Sequence, residues 1–247
     1  MFVGYDDEVG TSGWRLGGSL GYTDTNAKIR SRDSTGDIRS YSAALYAGKS
    51  YAYGANRLNV MGGASYTHHK IETTRNVASL GQTLKADYSA HTTQLFAEVG
   101  YAIGAESAQG IEPYAGITVG QQNHKRFKES GGFAGLIGEG KKDNTTSTTL
   151  GLRAHSDFKL AGKDARVRGT LGWRHGWGDL SQTRTMAFEG SSSFTVAGAP
   201  LARNTALIGL QTEVALSRYS AVVFSYDGEF ASGSRNNSAS AKLRWAY

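Results

Sequence analysis

The chain has 247 residues, 39% of them apolar, with 33 Gly against 2 Pro, no Cys and a formal charge of +6. No apolar run approaches the roughly 18 residues of a spanning helix. This excludes an α-helical membrane protein but not a barrel, whose strands alternate and keep the mean hydropathy ordinary at -0.40. The missing cysteines exclude disulfides, thiol nucleophiles and zinc-thiolate sites, and basic residues scattered singly argue against nucleic acid as a partner.

Taken in chain order, one pattern repeats. MFVGYDDEV is acidic and too short of apolar residues for a secretory leader, so any leader is expected upstream; FVGYDDEV reads as the tail of a strand. In GWRLGGSLGY, Trp14, Leu16, Leu20 and Tyr22 share one face, with Arg15, Gly17, Ser19 and Gly21 on the other. Tyr41, Ala43, Leu45 and Ala47 alternate with Ser42, Ala44, Tyr46 and Gly48. RLNVMGGASY has an oily face of Leu58, Val60, Ala64 and Tyr66, and QLFAEVGYAI one of Leu95, Ala97, Val99, Tyr101 and Ile103.

IEPYAGITVG sets Ile111, Pro113, Ala115, Ile117 and Val119 against Glu112, Tyr114, Gly116 and Thr118. TTLGLRA and VRGTLGWRHGW continue the alternation with Leu150 and Leu152, then Val167, Leu171, Trp173 and Trp177. Ile208, Leu210, Val214 and Leu216 follow, then Val222, Phe224, Tyr226 and Phe230 in VVFSYDGEF. The chain closes with Ala239, Ala241, Leu243, Trp245 and Tyr247. Ten segments carry the signal, and FVGYDDEV makes about eleven.

Connections alternate in length. Short ones are expected at 9–13, 51–56, 104–110, 161–165 and 217–220; long polar ones near 24–37, 67–90, 121–147 and 178–204, with a brief exception at 231–236. Tight turns at one end and long loops at the other are the pattern of an up-and-down antiparallel transmembrane β-barrel. A soluble sandwich also alternates, but its second face carries Lys, Glu, Thr and Gln, whereas here that face is rich in Gly, Ser and Ala with isolated charges. Small residues fit a concave lumen wall. Aromatic residues near the segment ends match the girdles at lipid interfaces. A single membrane-embedded domain over 1–247 is the simplest reading.

By parity the polar face carries Arg15, Glu98, Glu112, Arg153, Arg168, Arg174, Glu213, Asp227, Glu229, Lys242 and Arg244, which are expected to line a hydrated lumen. His68, His69 and Glu72 in HHKIE have a metal-like spacing only on a helix, and this stretch reads as an extended strand running on into a polar loop. His175 belongs to a strand's interface end. Six scattered His give no Ser/His/acid set, so no catalytic residue, metal or cofactor is assigned.

GWRLGGSLGY, QLFAEVGY, EPYAG, STTLGLRA, GWRHGWGD, FTVAGAPLARNTALIGLQTEVAL and SYDGEF followed by a terminal aromatic resemble the translocator domain of monomeric autotransporters of Gram-negative bacteria. The resemblance runs from about residue 3 to 247. It implies a twelve-stranded barrel in the outer membrane that anchors and helps export an N-terminal passenger, with a linker helix through the pore. It also implies a monomer, and a C-terminal signal for the β-barrel assembly machinery at Leu243, Trp245 and Tyr247. By the family pattern FVGYDDEV is the second strand, so the first strand and pore helix are expected upstream of Met1. The rivals are a small porin-like channel, a barrel enzyme and a soluble β-sandwich.

Overall fold

The computed structural model describes residues 1–29 and 34–245. Its strands, in chain order, are β1 (Phe2–Glu8), β2 (Trp14–Ile29), β3 (Ser34–Tyr53), β4 (Asn56–Val77), β5 (Gln82–Ala102), β6 (Gln109–His124), β7 (Phe127–Lys128) and β8 (Leu136–Gly138). They continue with β9 (Lys141–Leu160), β10 (Lys163–Gly178), β11 (Thr183–Phe188), β12 (Phe194–Ala197), β13 (Asn204–Ser217), β14 (Ser220–Ala231) and β15 (Ser234–Trp245).

Eleven of them form one antiparallel sheet in the order β1-β2-β3-β4-β5-β6-β9-β10-β13-β14-β15. Tight turns impose this nearest-neighbour order. Between β9 and β10, Ala161 and Gly162 both take left-handed φ values, 50° and 79°, the two-residue turn whose twist suits a hairpin. The sheet curls, because ion pairs on one face reach across an intervening strand: Arg153 of β9 meets Glu98 of β5 over the top of β6, at 2.7 Å. Side chains two strands apart converge only on the inside of a curve. β1 and β15 are the two ends of the sheet, and no ladder joins them among the described residues.

The outer face is greasy and uncovered. Leu20, Leu45 and Leu171 are 63%, 72% and 62% exposed. Such a surface is stable only in hydrocarbon, and the antiparallel ladders satisfy the backbone there. Register places Tyr22 opposite Tyr41, their rings 5.3 Å apart, at one border of the apolar band. Trp14 and Tyr101 stand near the other border, facing Lys49 and Leu58.

The segments 24–37 and 67–90 differ from the sequence expectation. They are largely strand, not loop: β2 and β3 pair out to Ile29 and Ser34, and β4 and β5 pair out to Val77 and Gln82 around a single 3-10 turn at Ala78–Leu80. β4 alone has 22 residues, whereas roughly 9–11 cross a bilayer. Their outer faces meet water, so no apolar stripe continues along them; cross-strand polar pairs such as Asn26–Asp37 and Arg39–Glu72 stand there instead.

The two longest connections build a second, four-stranded sheet, β12-β11-β8-β7. It caps the inner side of the projecting β4–β5 hairpin. Leu84 there is fully buried, with Ile71, Ala86, Ala90 and Ala134 also buried, and Tyr88 stacks on Phe127 at 4.7 Å. Arg75 of β4 grips Glu129 at 2.5 and 3.1 Å, and the same carboxylate accepts the Leu136 N–H.

Candidate functional site

The chemistry of this chain lies on the concave face. Alternation sends every second residue inward, and curvature brings those residues together. At the centre is Arg153. Its guanidinium reaches Glu98 at 2.7 Å and Glu112 at 3.3 Å, and stacks on the Tyr114 ring at 3.8 Å. The ring lies flat against the wall because a Cβ on Gly151 would overlap it, and one on Gly172 would fall 2.9 Å from its hydroxyl. Gly17 makes the same room for Tyr46. Glycine on this face therefore has a use that its poor strand propensity hides.

Further round the curve, Arg174 of β10 forms a two-point pair with Glu229 of β14 across β13, at 2.8 and 3.0 Å. Arg244 of β15 pairs with Glu213 of β13 across β14. Arg15 pairs with Asp6 of β1 at 2.7 Å. Arg168, Glu213, Lys242 and Arg244 line one cavity of about 1440 Å³ with Asp6 and Asp157, so residues from both ends of the sheet face a common space. Arg168 also borders a smaller space beside Arg153. The Asp227 carboxylate lies 3.5 Å from where a Cβ on Gly209 would stand. The structure thus brings together Arg153, Glu98 and Glu112, and separately Arg174 with Glu229 and Arg244 with Glu213. It places Arg15, Arg168, Asp227 and Lys242 on the same face outside those clusters.

Sequence reading leaves four ionic members of this face unassigned: Asp6, Arg57, Asp157 and Arg166. Arg57 bonds Glu106 at 2.9 Å, and Arg166 grips Asp157 at 2.5 and 2.7 Å. Parity alone reaches these ionic residues once the strands are extended into the turns. Tyr114 stands on this face by parity, but nothing in a string of letters shows that two glycines make room for its ring. Leu243 and Trp245 sit on the outer side of β15, 60% and 61% exposed; Tyr247 lies outside the described residues.

HHKIE lies wholly within β4 and does not pass into the polar loop expected from residue 67. His69 faces inward to Ser40 Oγ at 2.9 Å and Thr92 Oγ1 at 3.0 Å, Glu72 pairs with Arg39, and His68 faces outward. His175 Nδ1 lies 2.7 Å from Asn204 Oδ1, its ring between those of Trp173 and Trp177. Above the apolar band, His124 sits under the capping sheet with its Nδ1 buried and unbonded; burial first, then Arg184, pushes its imidazole down to about 4.

A family model for the autotransporter β-domain matches residues 1–227. The chain belongs to the autotransporter β-domain family. An extracellular serine protease of Serratia marcescens is 32% identical over 250 residues, which is 100% of this chain and 23% of the protease. The Pet serine protease autotransporter of Escherichia coli is 28% identical over 214 residues, 86% of this chain and 16% of that protein. This autotransporter β-domain thus spans less than a quarter of the length of those relatives. The translocator domain of NalP from Neisseria meningitidis shares its fold at a TM-score of 0.72 with 16% identity, over 100% of this chain and 78% of that one. The β-domain of Bordetella BrkA does so at 0.71 with 19% identity, over 100% and 89%. This autotransporter β-domain is an outer-membrane β-barrel of the type V secretion class.

Proposed function

We propose that the concave face works as a hydrated conduit that holds a linker and passes an extended passenger. The observation that carries this reading is the set of strand-skipping ion pairs, Arg153–Glu98 above all, lining a wide space behind an apolar outer wall. Balanced, mutually paired charges let a polypeptide of either sign slide without being trapped, and they keep the wall stiff. The sheet's free ends at β1 and β15 support a further strand, N-terminal to Met1, that fills the seam, preceded by a pore helix seated over Arg153 and Tyr114. Backbone groups at an open edge are costly in hydrocarbon, so the twelfth strand has a physical role.

The barrel itself acts as a transporter without catalysis, and it works as a monomer. Leu243, Trp245 and Tyr247 present an alternating apolar ending to the β-barrel assembly machinery. The passenger and its activity lie outside the barrel. The test is to express the barrel behind its own upstream segment and a reporter passenger in outer membranes, and to measure surface exposure by added protease. Wild type is expected to display the passenger, while a Glu98→Lys, Glu112→Lys double variant that still inserts stalls it inside. Undiminished display by that variant, or steady wide conductance with the helix in place, would favour a simple pore.

A further inference from the structure

We propose that His68 and His91 form a binding site for a divalent transition-metal ion, of the Zn²⁺, Cu²⁺ or Ni²⁺ class, on the outer wall where β4 and β5 leave the membrane. The inference concerns the opposite face from the conduit and does not rest on transport. A run of adjacent histidines in a strand cannot converge, because neighbours point to opposite sides. His69 accordingly turns inward and His68 outward. The partner of His68 is 23 residues away: β4–β5 register sets it directly opposite His91.

The two Nδ1 atoms are 3.2 Å apart, with ring centroids at 4.9 Å and planes tilted by 40°. A tetrahedral ion about 2.0–2.1 Å from each imidazole nitrogen requires those nitrogens to stand roughly 3.3 Å from one another. The pair is therefore set for chelation without backbone movement. In the metal-free state the same atoms are overcrowded. His91 Nδ1 also lies 2.6 Å from the Tyr66 hydroxyl, so two neighbours compete for one ring position that is either a single lone pair or a single N–H. A cation that takes both Nδ1 lone pairs releases the Tyr66 hydroxyl to bond elsewhere.

Both rings are half-buried, so solvent reaches the remaining coordination positions and water fills them. Imidazole ligands select Zn²⁺, Cu²⁺ and Ni²⁺ over the oxygen-seeking Mg²⁺ and Ca²⁺. With two protein ligands the affinity lies below that of a closed four-ligand site. A bound ion would clamp two strands together at the border where their lipid-supported part ends and their water-exposed part begins.

The test is Zn²⁺ titration calorimetry on the protein purified from outer membranes in detergent, with Cu²⁺ electron paramagnetic resonance on the same samples. The expected result is saturable binding lost at least tenfold in His68→Gln and in His91→Gln, retained in His69→Gln and His175→Gln, and not competed by Mg²⁺. The Cu²⁺ spectrum of wild type should show two coordinated imidazole nitrogens, a readout that stands even if one variant fails to fold. Unchanged affinity in folded His91→Gln, equal loss in His69→Gln, or a spectrum with no paired imidazoles would overturn the assignment.

Discussion

The wall and the cap of this molecule obey opposite solvents. Along the wall, leucines such as Leu20, Leu45 and Leu171 stand exposed on the outer face, and the inside is charged. In the cap and the hairpin beneath it, Leu84 is fully buried, and Ile71, Ala86, Ala90 and Ala134 are buried as well. The same chain thus runs inside-out through lipid and right-side-out above it. The difference teaches that an apolar stripe by itself does not mark a core. What it touches depends on the depth at which the strand stands.

The comparison breaks most sharply at Leu84. Leu84→Ala empties a dry, closed site and should cost about 3–5 kcal/mol of local cap stability, read as faster cleavage of the 125–140 and 179–203 connections by added protease. Insertion of the wall should be unaffected; loss of insertion would mean that cap and wall fold as one unit. Next, Leu171→Arg puts a charge at the middle of the lipid-facing wall, for an expected loss of about 2–4 kcal/mol in a bilayer refolding titration. A neutral result would place the apolar stripe away from lipid.

A smaller effect tests the inner face. Gly151→Ala drives a Cβ into the Tyr114 ring and displaces Arg153 from its stack, an expected loss of about 1–3 kcal/mol by urea unfolding. Adding Tyr114→Ala should recover part of that loss, because the clash goes with the ring. The smallest effect is pH dependence in the cap. His124 in place binds its proton at about 4, below its ordinary 6.5, so on acidification the opened cap takes up the proton first. Cap stability is full above about 6.5, falls as pH drops toward 4, and levels off below. Hydrogen exchange of the cap amides should show this slope, and His124→Gln should flatten it.

Much of the wall was legible in the sequence. The alternation in GWRLGGSLGY and QLFAEVGYAI fixes two faces, and the glycine on one of them points to a crowded interior; β2 and β5 contain those stretches as expected. The ends of strands were less legible. β4 continues to Val77 through TTRNV, which has no apolar period because its outer face has left the lipid and its inner face meets the cap through Arg75 and Glu129. The capping sheet has no sequence signature, since β7 and β8 have only 2 and 3 residues and take their order from partners in another loop.

The site divides the same way. That Arg153, Glu98 and Glu112 share a face follows from counting residues, because side-chain direction in a strand has a period of 2. That one arginine reaches both carboxylates, and that His68 meets His91, does not follow from counting. Those meetings depend on register between strands and on how tightly the sheet curls. The sequence determined which residues face water and which face lipid, through a local rule of alternation. Only the tertiary structure decided which of them touch, because contact across one or two strands is set by curvature and pairing that no short stretch of chain contains.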